Sequence, residues 1–242
     1  MDTQTICDAK VLLILTAIKT EYIAVKQVVD HWMTDTPSNV RTDHYDQMAV
    51  EIIGIRAKLI REVFPHYAHS RVVGVITAGL AGALSPELDT GDVVIDSAST
   101  NAAALAQFMD NMSGRKRVFV GPIHTSRHVV ATPVEKKRLF AESQALAVEM
   151  ENSYTREFAL RRDIPWLGIR SISDTAFESV PQEVMKFVDS SGNVKAWDLT
   201  KGLARHPGLI PAVVRLGKST QVATKNLSDA LAAIIRSGWP SN

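Results

Sequence analysis

Three short segments of the chain carry residues that could bind a small ligand or move a proton. The first is residues 77–83, where Gly79, Ala81 and Gly82 follow an apolar run of strand length. Glycines after a strand let backbone amides approach a ligand without a Cβ in the way, although a turn needed only for close packing would have the same sequence. This segment is therefore a candidate binding turn.

The second segment, residues 147–151, ends in two carboxylates, Glu149 and Glu151, at the expected start of a helix. A carboxylate there lies in the favourable field of the helix N-terminus, and its two oxygens can accept hydrogen bonds from a vicinal diol such as the 2′ and 3′ hydroxyls of ribose. Met150 offers a polarisable apolar surface for the face of a sugar. The alternative is a glutamate that only stabilises the helix start.

In the third segment, residues 169–174, an apolar strand runs directly into Ser173 and Asp174. An Asp at a strand end beside a pocket can be kept protonated and can donate its proton to the nitrogen of a leaving group. The alternative is an Asp that caps the following turn.

The elements that position these segments follow from the hydrophobic pattern, because apolar runs of strand length alternate with segments of helical period. Strands are predicted over residues 11–16, 49–53, 72–77, 93–95, 117–122 and 166–171. Helices are predicted from Thr20 as N-cap, from Pro133, and over residues 57–67 and 151–162. The predicted fold is α/β: a single domain with a central mixed, mostly parallel twisted sheet flanked by helices. In such folds ligands bind at the carboxyl ends of strands, where all three segments fall.

The chain changes character from Pro181 onward, where helical segments dominate. We predict one domain over residues 1–242, of which residues 198–242 form a helical C-terminal extension with its longest helix over residues 211–236. Residues 189–195 are a candidate loop, either a plain surface connection or a lid over a pocket.

Composition excludes several classes of function. With 27 Lys and Arg against 26 Asp and Glu, the net charge of +1 provides no global field to attract nucleic acid or an anionic membrane. No segment is long and apolar enough for a membrane span, and none resembles a signal peptide. The single cysteine, Cys7, fits a reducing compartment, so a cytoplasmic location is expected. His124 and His128 lack a third ligand at metal spacing, and neither a metal nor another cofactor is expected.

Together the three segments resemble the nucleoside phosphorylase and nucleosidase superfamily, and most closely its methylthioadenosine/S-adenosylhomocysteine nucleosidases. The resemblance covers residues 13–21, the glycine segment with residues 88–94, and residues 147–174. Its specific part is the pairing of Val-Glu-Met-Glu with Arg-Ser-Ile-Ser-Asp at this separation. It implies a nucleoside phosphorylase-like fold, a small-molecule nucleoside as partner, and a homodimer or larger homo-oligomer.

The resemblance also implies catalytic roles. Asp174 would protonate a purine at N7 with Ser173 orienting it, and Glu21 would position and activate the attacking water. Glycosidases use the same logic, in which one carboxyl protonates the leaving group, another manages the nucleophile, and the transition state is oxocarbenium-like.

For substrate binding, the resemblance implies that Glu151 holds the ribose hydroxyls while Met150 packs on the sugar. The remaining candidates lie along the base and ribose and are Glu149, Gly79, Ala81, Gly82, Val129 and Val130. The sequence departs from the family at Val129, where an aromatic side chain is common, and in the short region 97–117, which helps to shape the pocket in relatives. The resemblance therefore leaves the 5′ substituent of the nucleoside open.

The residues favour hydrolysis over phosphorolysis. Phosphorylases of this superfamily hold phosphate with an Arg before the glycine segment and a Ser within it, and the matching positions here are Thr77 and Leu80. Without those groups phosphate lacks its strongest partners, and Glu21 would repel it. We therefore expect hydrolytic cleavage of a purine nucleoside, with adenine as the favoured base.

Two alternatives stay open. One is a phosphate-dependent phosphorylase, including the hopanoid-associated type that residues 205–211 faintly resemble, which would imply an adenosine with a large apolar group. The other is a nucleoside-sensing module without turnover, since a fold does not by itself establish activity.

Overall fold

The structure, a computed structural model, describes residues 9–35, 44–67, 70–112, 117–180, 208 and 210–240. Cys7, the candidate loop at residues 189–195 and the first part of the predicted extension, residues 198–207, lie outside the described residues.

Among the described residues, eight strands share one sheet. They are β1 (Lys10–Thr16), β2 (Gln47–Ile52), β3 (Arg71–Ala83), β4 (Val93–Asp96), β5 (Val118–Gly121), β6 (Ile123–Thr125), β7 (Ala147–Glu149) and β8 (Trp166–Asp174). The α-helices are α1 (Lys19–Asp35), α2 (Ile60–Val63), α3 (Ala102–Met112), α4 (Pro133–Ser143), α5 (Asn152–Leu160) and α6 (Ile210–Arg236).

The sheet order is β2-β1-β3-β8-β4-β5, and β7 joins it by pairing with β3 and β6. Neighbours from β2 to β8 are parallel, as are β4 with β5 and β6 with β7. Only two pairings in the described sheet, β4 with β8 and β3 with β7, are antiparallel. The predicted α/β fold, with a mixed, mostly parallel sheet flanked by helices and a C-terminal helix, is therefore confirmed.

Strand β1 explains why the central strands appear in the sequence as unbroken apolar runs. Leu12 and Ile14 belong to one core cluster, whereas Leu13 and Leu15 belong to a second cluster. A strand that is buried on both faces has no polar side to alternate with its apolar one.

Helix α6 completes the first of these clusters. Its buried residues Leu227, Leu231, Ile234 and Ile235 pack in the same cluster as Leu12. None of the helices within the described ranges is long and apolar enough to cross a membrane.

The helix predicted over residues 57–67 is wrong. The segment instead forms 3-10 turns at Ile55–Ala57 and Phe64–Tyr67 on either side of the single-turn helix α2. Arg56 and Ala57 have φ angles of 61° and 51°, which lie outside the right-handed helical region. Backbone geometry thus breaks a segment whose side chains have a helical pattern.

The prediction of Thr20 as a helix N-cap is also wrong, because α1 already begins at Lys19. The free N–H groups before the helix are satisfied by Glu21 in its first turn. One oxygen of the Glu21 carboxylate accepts hydrogen bonds from the N–H groups of Ala17 and Ile18, at 3.0 and 3.2 Å. A functional candidate therefore does the work expected of a cap.

Candidate active site

Strand β3 is the element to which the candidate residues attach. The strand predicted over residues 72–77 is expected to end in a turn containing Gly79 and Gly82, and this is wrong, because β3 continues through both glycines to Ala83. It is held on one side by β8, with Gly79 opposite Arg170 and Gly82 opposite Asp174. Because Gly79 and Gly82 lie in a regular paired strand, they are not needed to form a turn. Their lack of a side chain must matter for another reason.

The glycines make room for charged side chains. A Cβ on Gly79 would lie 2.7 Å from both Arg170 Nη1 and Glu21 Oε1, and a Cβ on Gly82 would lie 2.9 Å from Asp174 Oδ2. Real Cβ atoms do not approach other atoms so closely. The two glycines therefore mark two places along β3 where carboxylates cross the strand.

At the Gly79 place, Glu21 is buried and its second oxygen accepts a hydrogen bond from the N–H of Leu80 at 2.8 Å. Burial raises the pKa of Glu21, although the nearby Arg170 charge and the backbone hydrogen bonds oppose that rise. A carboxylate with a raised pKa is a stronger base than an ordinary glutamate.

Arg170 lies at the centre of the charged cluster and is only 1% exposed. Its guanidinium donates to Glu149 at 2.6 Å and to the side-chain oxygen of Asn152 at 2.7 Å, and it lies 3.8 Å from a Glu151 oxygen. Its Nε atom has no hydrogen-bond partner among the described residues. One buried cation thus serves the carboxylates of Glu149, Glu151 and Glu21.

Glu149 is almost fully engaged within the protein. Besides Arg170, it accepts hydrogen bonds from the Thr125 hydroxyl at 2.6 Å and from the N–H groups of Glu151 and Asn152 at 2.7 and 2.8 Å. These contacts fix the first residues of α5 and the orientation of the Glu151 backbone just before the helix.

Glu151 precedes α5 and makes fewer contacts than Glu149. It accepts a hydrogen bond from the N–H of Arg56 at 3.0 Å, and its side chain is 9% exposed. Burial raises the pKa of Glu151 to about 7; the Arg170 charge opposes this rise, and Glu149 and Glu21 add to it. A carboxyl group in this state is available to bind hydroxyl groups.

At the Gly82 place, Asp174 ends β8 and receives two hydrogen bonds. The Ser173 hydroxyl donates to Oδ1 at 2.7 Å, and Lys136 Nζ donates to Oδ2 at 2.5 Å. The Ser173 hydroxyl also lies 3.2 Å from the Ala81 carbonyl. Asp174 is therefore a carboxyl group with a fixed orientation, and its side chain is still 12% exposed.

The two places are three residues apart on β3, or roughly 10 Å at about 3.3 Å per residue. One carries Glu21 with Glu151 nearby, and the other carries Asp174. This separation leaves room for a nucleoside between them. Glu21 would then lie on the sugar side, near the glycosidic carbon, and Asp174 at the far edge of the base.

The apolar candidates are less closely joined to the carboxylates. Met150 is half-buried beside Glu151 in the chain. Val130 packs against the small cluster that contains Leu84 and Val148. Val129 is 38% exposed and lies at the protein surface.

Two charged residues received no role from the sequence, although each carries a signal. Arg170 interrupts the apolar run of β8. Lys136 precedes by three and four residues Leu139 and Phe140, which pack into an apolar cluster, so it lies on the inner face of α4. A charged residue on a buried face needs a partner, and both partners are candidate site residues.

A cavity of about 900 Å³ lies elsewhere in the described part of the chain. Its lining includes Phe64, Phe158, Val72 and Ile164, near the amino ends of β3 and β8. It contains none of the predicted site residues. The convergence of buried charges, and not cavity size, identifies the candidate site.

No group of three or more His, Cys, Asp or Glu side chains is arranged to hold a metal ion in the part of the chain that the structure describes. His124 lies on β6 and His128 in the exposed segment that follows it.

Comparison with known proteins supports the resemblance seen in the sequence. A sequence model of the phosphorylase superfamily matches residues 97–196. No curated protein sequence matches the chain. Solved structures of nucleosidases nevertheless have the same fold as this chain.

Three solved structures illustrate the likeness. A 5′-methylthioadenosine/S-adenosylhomocysteine nucleosidase from Colwellia psychrerythraea, in complex with adenine, has a TM-score of 0.63 at 17% identity and covers 94% of each chain. An S-adenosylhomocysteine nucleosidase from Streptococcus pyogenes has a TM-score of 0.62 at 16% identity, covering 97% of this chain and 98% of its own. Futalosine hydrolase of Helicobacter pylori has a TM-score of 0.57 at 18% identity, covering 95% and 99%.

Proposed function

We propose that this chain hydrolyses the N-glycosidic bond of a purine nucleoside, with adenine as the favoured base. The observation that carries the proposal is that two carboxylates from other elements pack against glycines of β3. Glu21 lies against Gly79, and Asp174 lies against Gly82. A glycosidase needs two such groups, one for the nucleophile and one for the leaving group.

Glu21 is suited to the nucleophile end. Its raised pKa makes it a better proton acceptor, and the Arg170 charge next to it stabilises its charged form. In this proposal Glu21 takes a proton from a water molecule while the water oxygen attacks C1′.

Asp174 is suited to the leaving-group end. Ser173 holds one of its oxygens, so the carboxyl group faces a fixed direction at the carboxyl end of β8. Protonation of the base stabilises the electron pair that leaves C1′. General acid assistance of this kind contributes about 10²–10⁴ in rate.

Glu151 is the proposed ribose-binding residue, because a vicinal diol can donate to both of its oxygens. When the sugar develops positive charge, the same carboxylate stabilises it electrostatically. Glu149 has four donors already, so we propose that it acts by positioning Arg170 and Glu151 rather than by binding substrate.

The contacts of Thr77 and Leu80 support water as the nucleophile. The Thr77 hydroxyl is hydrogen-bonded to Thr155 at 2.8 Å and accepts from the Trp166 indole at 3.1 Å, within the core. The Leu80 N–H is engaged by Glu21. Neither position offers a free cation or hydroxyl for phosphate.

The test is base release in phosphate-free buffer and in buffer containing phosphate, with the sugar product identified by mass. The substrate panel is adenosine, inosine, guanosine, methylthioadenosine and adenosines with longer 5′ substituents. We expect base release without phosphate and a free sugar as product. Strict phosphate dependence with a ribose 1-phosphate product would make the chain a phosphorylase, with the exposed Arg56 beside Glu151 as the first candidate anion ligand. Binding without release would favour a nucleoside sensor.

The cytoplasmic location and the homodimer remain predictions. Sedimentation of the purified protein measures the second directly.

A further inference from the structure

Lys136 is the most deeply buried charged group next to the candidate site. It is 0% exposed, and its side chain crosses from α4 to the carboxyl end of β8. Its Nζ atom lies 2.5 Å from Asp174 Oδ2, 2.7 Å from the Thr175 carbonyl and 3.0 Å from the Glu178 carbonyl. A lysine ammonium has three N–H bonds, and each has an acceptor here.

The two carbonyl groups are acceptors only, so two of the three hydrogens must stay on nitrogen. The third hydrogen lies between Nζ and Oδ2, and both of its positions are compatible with the geometry. It can stay on nitrogen, giving an ammonium and a carboxylate, or move to oxygen, giving an amine and a carboxylic acid. In the second arrangement the amine lone pair accepts a hydrogen bond from Oδ2–H, so no buried group is left without a partner.

We propose that Lys136 supplies Asp174 with the proton that ends on the leaving base. This inference rests on the proposed nucleosidase function and adds to it the source of the proton. Lys136 does not touch the substrate and is therefore a positioning residue that acts through Asp174.

The step balances as follows in protons and electrons. The Nζ–H bond breaks and an Oδ2–H bond forms, leaving a neutral amine and a neutral acid. The acid then gives its proton to N7 of the purine, and the electron pair of the broken C1′–N9 bond passes into the purine ring. After the base departs, Asp174 is a carboxylate again, Lys136 regains a proton from solvent, and Glu21 releases to solvent the proton that it took from the attacking water.

Substrate binding drives the first transfer. In the free protein the Asp174 side chain is 12% exposed, so water stabilises the charged pair on that side. A bound base would cover this remaining surface. Loss of water penalises two separated charges more than a neutral acid and amine, which favours the transferred form.

Other charges around the pair are few among the described residues. The Glu178 carboxylate accepts the Thr175 N–H at 2.9 Å and lies 3.5 Å from Arg215 on α6. Glu178 and Arg215 line a small cavity together with Asp174, and their opposite charges form an ion pair there. On α4 itself, Glu135 is occupied with the capping box at Thr132.

The test compares Lys136→Met with the wild type on two substrates across the pH range. The substrates are the best purine nucleoside of the panel and 4-nitrophenyl ribofuranoside, whose leaving group departs without protonation. Lys137→Met is the matched control, because its side chain is exposed one position along the same helix.

We expect Lys136→Met to lose about 10²-fold in kcat for the nucleoside at neutral pH and far less for the nitrophenyl riboside. The basic limb of its pH profile should move to lower pH by at least about one unit, because the proton then comes from a carboxyl group alone, which releases it in a lower pH range than an ammonium does. Lys137→Met should match the wild type on both substrates.

The direction in which the basic limb of the pH profile moves in Lys136→Met distinguishes the proposal from two other roles for Lys136. If Lys136 only stabilises the Asp174 carboxylate, its removal moves the limb to higher pH, and if it only holds the turn at residues 175–178, both substrates lose equally. Either result would overturn the proposal.

If Lys136→Met does not fold, lysine-specific ¹⁵N labelling of the wild type provides the second measurement. The slowly exchanging buried amine should change between ammonium and amine when free adenine binds, and a fixed ammonium would refute the transfer. A wild type that cleaves no nucleoside of the panel would instead refute the proposed function.

Discussion

At the scale of single residues, Asp174 is held by Ser173 and Lys136 in a way that an amide could reproduce. In Asp174→Asn the amide oxygen can still accept from Lys136, and the amide N–H can donate to Ser173. We expect the fold to persist and kcat to fall by about 10²–10⁴, with KM changed little, since the amide cannot deliver a proton. The measurement is kcat and KM from released base.

Asp163→Asn is the matched control for that variant, because Asp163 is exposed and its φ of 53° lies in a region that Asn tolerates. The control should keep wild-type rates. Near-wild-type kcat in Asp174→Asn would remove Asp174 from the role of acid.

Glu151 can be tested through the hydroxyl groups that it is proposed to bind. Glu151→Gln should weaken both binding and rate for ribosides, because the amide offers one acceptor oxygen and no negative charge. It should matter much less for 2′,3′-dideoxy analogues of the same base. Steady-state kinetics on the two substrates gives the comparison, and equal losses on both would show that Glu151 is structural.

Gly79 belongs to the scale of the element, because it decides what can cross β3. Gly79→Ala places a Cβ where Arg170 and Glu21 now lie, so both charged groups must shift. Misplacement of about 1 Å can cost on the order of 10²-fold in rate. We expect such a loss in kcat while circular dichroism still reports the folded sheet.

Gly217→Ala is the control for glycine replacement, since a Cβ on Gly217 would meet nothing within 4 Å in helix α6. The alanine should raise the free energy of unfolding by up to about 1 kcal/mol through its helix propensity. Wild-type activity in Gly79→Ala would mean that the glycine is not needed to accommodate the site.

The sequence predicted those elements whose pattern has one solution. β1 and the long helix α6 are examples, because an unbroken apolar run and a long periodic stripe each favour one structure. Glycines at positions 79 and 82 suit a turn or a strand crossed by large side chains, and only the three-dimensional neighbours distinguish the two.

The same limit applies to the candidate site. Asp174, Glu151 and Glu21 could be predicted from the sequence because they lie in short motifs with a known resemblance. Lys136 could not be predicted in this way, since its partner Asp174 lies 38 residues further along the chain. A buried ion pair between distant segments leaves only a lysine on an apolar face as its trace in the sequence.

At the scale of the whole molecule, the buried carboxylates make stability depend on pH. The pKa of Glu151 rises from 4.5 to about 7 in the folded protein, so the folded state binds the proton more tightly than the unfolded state. Its contribution to stability is fully present below pH 4.5 and is lost as pH rises through about 7.

We therefore expect the free energy of unfolding to fall between about pH 5 and pH 8 in the wild type, and to fall less in Glu151→Gln, which has no group to titrate there. Urea denaturation at the two pH values measures the difference. Glu142→Gln, an exposed partner of Arg138, should behave as the wild type does. Identical pH dependence in Glu151→Gln would refute this assignment.

Helix α6 supplies the last part of the main core, and this has a consequence for synthesis on the ribosome. Strands β1 and β3 emerge long before Leu227, Leu231 and Ile235, which cover one face of them. Until those residues are made, that face of the sheet has no partner and is open to chaperones and to wrong contacts. A chain stopped before Ala223 should accordingly be degraded faster than the full chain in a pulse-chase experiment. Productive folding of this core would then begin only after helix α6 has left the ribosome.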